Sequence, residues 1–305
     1  MLPWQLCFWS QLTVKVYYIT HSPGDSCLAE RCLTLSQFAT NVDSYVTSNT
    51  TLIFQSGNHS LNSELFISSV RGFSMSPLSN STLPLDTNII CNQLGKFEFQ
   101  DSDQIVVSNL TFIGCEGNRV VKVKKFTIDS SSFVGEESYC SKRVFELRES
   151  SVDITRSSFS GCKVGGILYL YHATLKVSES NFSNNGAIDG GVMFLHEATL
   201  NIDHSVFQNN TAGNVGGAVY ASSSKVNVSR SIFRSTTAND SAAIHIAESS
   251  TLYINNSKFH KNVAGNKGGA VTVYTRSQLN LLVCVFSKNV AKLSMVELLL
   301  RMNPG

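Results

Sequence analysis

The sequence contains no run of 18 apolar residues, so nothing in this stretch is a candidate for a membrane-spanning helix. Charge is sparse: 15% of residues are charged, and 24 basic and 22 acidic side chains are scattered to a net +2. Without a basic stripe there is no electrostatic footprint for nucleic acid or an anionic membrane surface. The eight cysteines (7, 27, 32, 91, 115, 140, 162 and 284) include no CxxC pair, and the seven histidines show no HExxH, so no metal is expected. GxSxG is missing, and the Gly pairs recur as punctuation rather than opening a helix, which excludes a phosphate loop. No cofactor is called for. Residues 1–26 begin apolar but lack a basic n-region and a small-residue cleavage site, and read as a degenerate or truncated signal region.

What is present points outward. The chain has 305 residues, 42% of them apolar, enough to bury a large core. Nine N-x-[ST] sequons stand at Asn49, Asn58, Asn80, Asn109, Asn181, Asn209, Asn227, Asn239 and Asn255, where composition would give roughly five by chance. With eight cysteines, they favour a disulfide-forming secretory route and a secreted or cell-surface protein.

The dominant signal is a repeat. Phenylalanines at 112, 133, 159, 182, 207, 233, 259 and 286 are separated by 21 to 27 residues. Seven residues before each stand Ile105, Phe126, Val152, Leu175, Leu200, Val226, Leu252 and Leu279, and five before are Val107, Ile128, Ile154, Val177, Ile202, Val228, Ile254 and Leu281. Apolar residues two apart specify strands. Two before Phe, Ser131, Ser157, Ser180, Ser205, Ser231 and Ser257 form a column that ends in Cys284. Gly pairs at 165–166, 190–191, 216–217 and 268–269 each precede a third apolar alternation. A unit of about 25 residues with short strands cannot bury its apolar face alone, whereas stacked units make a continuous core. The expected fold is all-β: a single-stranded right-handed parallel β-helix, its Phe column an interior ladder with Ser as a small spacer. Asn185, Asn210, Asn262 and Asn289 are expected at corners with left-handed backbone, bonding along the stack. A leucine-rich repeat of similar length would need LxxLxLxxN, which is missing.

The F-x-x-N units at 182–185, 207–210, 259–262 and 286–289, with GGAV at 216–219 and 268–271, resemble the repeats of chlamydial polymorphic outer membrane proteins and of large surface proteins in other lineages. The resemblance implies a pectin-lyase-like β-helix. Those bacterial proteins end in a membrane barrel, which this sequence lacks, so their adhesin role does not carry over automatically.

Residues 27–104 are expected to form an N-terminal cap and irregular first coils, 105–291 the regular repeats, and 292–305 a C-terminal cap or truncated end. In "LTLSQFATNVDSYV" (33–46), Leu35, Phe38, Val42, Tyr45 and Val46 share one helical face behind a Thr34 cap. "TLIFQSGNHSL" (51–61) resembles the opening strand of pectin-lyase-like domains. Cys115 and Cys162 stand two coils apart, about 9.6 Å, which is too far to bridge. The simplest pairing joins Cys27 to Cys32, Cys91 to Cys115 and Cys140 to Cys162, leaving Cys7 outside the fold and Cys284 a buried thiol.

Two surfaces compete as functional candidates. Asp129 and Asp153 project outward from neighbouring coils, about 8 Å apart, within the roughly 6.5–9.5 Å of inverting glycosidases. Lys176 follows in the Asp153 column. The NTD, DD, GHG, RIK and RxPxxR motifs of pectin-active relatives are missing, and a solvated charge ladder worth little is the simpler account. After the Gly pairs, the outward residues are Tyr169 and Tyr171, Phe194 and His196, Tyr220 and Ser222, His245 and Ala247, then Thr272 and Tyr274. In register they make an aromatic stripe fit to stack on sugar rings or anchor a protein, although aromatics also favour strand surfaces for their own sake. The expectation is a non-enzymatic adhesion or recognition scaffold whose partner is a glycan or protein on an outer sheet face. A polysaccharide-active enzyme is the alternative.

Overall fold

A computed structural model describes residues 14–21, 32–78, 87–92, 94–135 and 140–292. The chain winds as a right-handed parallel β-helix. Each regular coil gives one strand to each of three long sheets, here A (12 strands), B (10) and C (9), and five coils add a two-residue strand to a short sheet D between B and C. One coil shows the order: Thr174–Ser178 in A, Asn181–Ser183 in B, Gly186–Ala187 in D and Met193–His196 in C. Coils pair parallel and in register, Phe159 with Phe182 and Phe207 in B, Leu168 with Met193 and Val219 in C.

The repeat dictates the interior. The eight phenylalanines from Phe112 to Phe286 form an unbroken column of seven stacks, with centroids 4.5 to 5.0 Å apart and planes within 9° of parallel. That spacing is the rise between adjacent strands, about 4.8 Å, so the sheet itself sets the ring separation. Beside the column, Leu175, Leu200, Val226 and Leu252 are wholly buried.

The Ser column does more than leave room for rings. Each serine follows a corner residue in left-handed backbone, such as Arg156 (φ 46°), His204 (φ 45°) and Arg230 (φ 47°). At such a corner a backbone N–H is turned out of the sheet ladder. Ser157 Oγ accepts the N–H of Ser131 one coil back at 3.1 Å and donates to its own coil's Thr155 carbonyl at 2.7 Å. Ser180, Ser205, Ser231 and Ser257 repeat the acceptance at 3.1 Å. A buried donor left unmet there would cost about 1–3 kcal/mol.

The Asn column bonds along the stack as expected, but it is not the left-handed residue. Asn210 Oδ1 accepts the N–H of Asn185 at 3.0 Å and its amide donates to the Phe182 carbonyl at 2.9 Å. The positive φ falls one residue earlier, at Asn184 (57°), Asn209 (53°) and Lys261 (54°), so the chain turns just before each Asn and leaves its amide buried, where it bonds to both coils. Of the Gly pairs, Gly216 (φ 64°) is a required glycine: a Cβ there would lie 2.3 Å from the Val219 carbonyl oxygen.

At the N-terminal end the Thr34 cap is present, with Gln37 completing a capping box. The helix is two short pieces, α1 (Leu35–Thr40) and α2 (Val42–Tyr45), meeting at Asn41. Leu35 and Phe38 are buried against the first coils, and Phe38 packs on Tyr17 and Tyr45. Three expectations need correction. Lys15–Thr20, placed in the signal region, is a strand paired with Asn49–Phe54 in sheet A. Residues 51–61 hold parts of two strands, Asn49–Phe54 in A and Gly57–Leu61 in B. The described strands before residue 105 follow the regular order, with Glu64–Ser68, Gly72–Pro77, Thr87–Cys91 and Lys96–Gln100 taking their places in C, A, B and C. They escaped the repeat because His59 and Ile89 occupy the Phe position.

Two disulfides match the expected pairs: Cys91–Cys115 (Cα atoms 4.9 Å apart) and Cys140–Cys162 (5.2 Å). Cys32 is disulfide-bonded, while Cys27 and Cys7 lie outside the described residues. Cys284 is free but only half-buried, since no described coil follows its own. The 293–305 part of the C-terminal expectation also lies outside the described residues, and the last described coil leaves Phe286 43% exposed.

Phe207→Ala, in mid-column, is expected to cost about 3–5 kcal/mol of unfolding free energy and Phe286→Ala much less. Urea denaturation of the two variants checks this; equal losses would contradict a stability carried by ring burial.

Candidate functional site

On sheet C the apolar residues of each strand turn inward and the residues between them turn out. Register then fixes a column: Glu98, Arg119, Glu146, Tyr169, Phe194, Tyr220, His245 and Thr272 are successive partners. Its first part is ionic, Arg119 bonding Glu98 at 3.0 Å and reaching Glu146 at 3.7 Å. Its second part is aromatic.

The predicted stripe is assembled as a row of touching rings. Tyr169 and Phe194 are 5.5 Å apart, Phe194 and Tyr220 4.7 Å, Tyr220 and His245 5.5 Å. The next contact is His245 with Tyr274 at 5.2 Å, so the row steps diagonally past Thr272. Tyr171 and His196 stack beside it at 5.7 Å and 9°. All six predicted binding residues therefore lie on one face. These six are half-buried, except that His245 is 7% exposed, while Tyr274 at the end of the row is exposed.

Polar groups frame the row. His245 Nδ1 is 2.8 Å from Ser241 Oγ. Burial lowers the His245 pKa, against weaker upward pulls from Asp240 and Asp189. Burial raises that of Tyr220, helped by Glu248 and Asp189. A chain of contacts runs along the border: His172 to Glu197 at 3.0 Å, Glu197 to His196 at 3.7 Å, His196 to Ser222 at 3.4 Å, and Ser222 donating to Glu248.

Arg143 was missed by the sequence reading. Its guanidinium lies over Tyr169 (5.3 Å) and Phe194 (5.1 Å), and it donates to the Leu168 carbonyl at 3.4 Å. It sits in an irregular turn outside every repeat column, so no spacing marked it. With Gly117, Asn118, Lys142, Glu146 and Tyr169 it lines a groove of about 400 Å³.

The acidic candidates sit on sheet A. Asp153 is in register with Thr127 and Lys176, and Asp129 with Thr155. Arg156 Nη2 grips both Asp129 oxygens at 2.5 and 2.6 Å, and Thr155 donates at 2.6 Å. Burial pulls the Asp129 pKa up, but these bonds and the Arg156 charge outweigh it and hold it below the usual carboxylate value. A carboxylate so engaged is a poor general acid. Asp203 with Arg230 and Ser229 repeats the clamp three coils beyond Asp129, on the coil next to that of Lys176. The signal was available: Asp four before one Phe and Arg three before the next, at 129/156 and 203/230. Among the described residues, no group of three or more His, Cys, Asp or Glu is placed to hold a metal ion.

Eight of the nine sequons are described. Asn49, Asn109, Asn227 and Asn255 lie on or beside sheet A strands, Asn58, Asn181 and Asn209 on or beside sheet B, and Asn239 just after a sheet D strand. Asn80 lies outside the described residues. Asn227 is tied into the sheet, its amide donating to Asn201 at 2.7 Å.

The family described as "Right handed beta helix region" matches residues 112–286. No curated protein sequence matches the chain. Among solved structures it is similar to the catalytic domain of a GH87 alpha-1,3-glucanase in complex with nigerose, at 10% identity and a TM-score of 0.44. That match covers 92% of this chain and 66% of the other, just under two thirds of its length. It is also similar to PfbA, a surface adhesin of Streptococcus pneumoniae, at 9% identity and a TM-score of 0.36, over 78% and 85% of the two chains.

Because His245 titrates lower when folded, the unfolded chain binds more protons in the window below about pH 6.5. Stability from this group is complete above that value, falls as pH drops and levels off below the folded pKa. His59 and His260, also lowered by burial, act in the same sense. Melting curves between about pH 8 and 5 are expected to show a decline that His245→Gln reduces; an unchanged slope would contradict the assignment.

Proposed function

The chain belongs to the right-handed β-helix family, and on that scaffold we propose that it is a non-enzymatic extracellular recognition module whose sheet C binds glycans. One observation carries this reading: the row of rings from Tyr169 through Phe194 and Tyr220 to His245 and Tyr274 lies on the outer face of a rigid sheet. The exposed parts of Tyr169, Phe194, Tyr220 and Tyr274, held at fixed spacing around the buried His245, offer apolar faces to the C–H side of a pyranose at little entropic cost. The bordering Asp, Glu, Ser and His groups supply hydrogen-bond partners for its hydroxyls.

Two further facts support it. Disulfides such as Cys91–Cys115 suit an oxidising compartment. None of the eight described sequon asparagines falls on a sheet C strand, so glycans attached to the chain would leave this face clear.

A glycan array probed with wild type and with a Tyr169→Ala, Phe194→Ala, Tyr220→Ala variant tests the proposal. The expected result is a loss of roughly ten-fold or more in apparent affinity for whichever sugars the wild type retains; equal binding by both would refute it. Assaying the same sugars for cleavage separates the polysaccharide-active alternative, for which release abolished by Asp153→Asn would speak.

A further inference from the structure

Arg143 differs from four other arginines of the chain. Arg119, Arg148, Arg156 and Arg230 each pair with a carboxylate. Among the described residues Arg143 forms no ion pair: Glu146 and Asp189 are the carboxylates whose charge reaches it, and Glu146 is already engaged by Arg119 and Arg148. Among the described residues, the one hydrogen-bond partner of its guanidinium is the Leu168 carbonyl at 3.4 Å, and the faces of Tyr169 and Phe194 cover it on one side. Burial lowers its pKa as the largest effect, the mark of a positive charge short of compensation. It lines the groove of about 400 Å³ at the ionic end of the aromatic row, with the exposed Lys142 on the same rim.

We propose that this groove binds the anionic substituent, carboxylate or sulfate, of a saccharide whose ring lies against Tyr169. The inference rests on the reading of sheet C as a glycan-binding face, and adds the charge class of the ligand and the end of the row where it is read. A guanidinium held over two neighbouring rings is preorganised to donate charge-assisted bonds to a planar carboxylate or to two sulfate oxygens. Lys142 adds a mobile second charge, and Asn118 is not needed, because its amide is spent on the Phe97 N–H and the Cys115 and Val144 carbonyls.

The test is calorimetric titration of the full chain with chondroitin sulfate, hyaluronan and neutral maltose oligosaccharides of matched length. Wild type is expected to prefer one or both acidic series over the neutral one by about ten-fold or more, with the preference shrinking as salt is raised. The sulfated and unsulfated arms tell which anion is read. Arg143→Gln is expected to abolish the preference of acidic over neutral sugars, and Lys142→Ser, an exposed change that spares the packing, to reduce it. Acidic and neutral sugars bound alike by wild type, or a preference untouched in both variants, would overturn the inference and leave the glycan-binding reading standing. Failure of every sugar to bind would remove that reading, and this one with it.

Discussion

Parallel, in-register stacking at the rise of a β-sheet makes every residue a neighbour of its own equivalents one coil away. A repeat unit is therefore judged by how well each side chain packs against itself. Phenylalanine passes that test inside, because rings about 4.8 Å apart meet face to face with a small offset, and the column from Phe112 to Phe286 does so without a break. The same rule operates outside. The aromatic row on sheet C has its spacing for the same reason that the core has, so the candidate site inherits the rigidity of the scaffold.

Corners are where the stacking rule would fail without help. A three-sheet coil must turn sharply, and it does so with ordinary residues in left-handed backbone, which costs about 1–2 kcal/mol each. Serine and asparagine offset this by satisfying the backbone groups that the turn strips of partners. Their ladders run along the axis, Ser131 to Ser257 at one corner, and at another Asn185 to Asn210 and, past Thr236, Asn262 to Asn289. Side-chain hydrogen bonds thus link coil to coil where the sheets do not.

Most of the architecture was readable in the sequence because it is written eight times. The Phe, Leu/Val/Ile and Gly columns gave the strands, the facing and the order of the outward aromatics, all of which the coordinates reproduce. Reading failed where the period is masked or where one residue acts alone. His59 and Ile89 hide the early coils by standing where Phe is expected. The Asp129–Arg156 clamp joins different columns of adjacent coils, so a search within columns passes over it. Arg143 comes from an irregular turn and reaches the aromatic row only through the winding of the chain. The Ser column was seen and its role misjudged, since spacing shows that a residue is small and not which backbone group it satisfies.

Recognition through the aromatic face of sheet C is the central claim, and oxidative footprinting reads that face most directly. With a bound oligosaccharide, the side chains of Tyr169, Phe194, Tyr220 and Tyr274 are expected to lose reactivity together, while Tyr253 on the outer face of sheet A keeps its own. Protection of Tyr253 instead, or of no aromatic at all in the presence of a ligand that binds, would contradict the account.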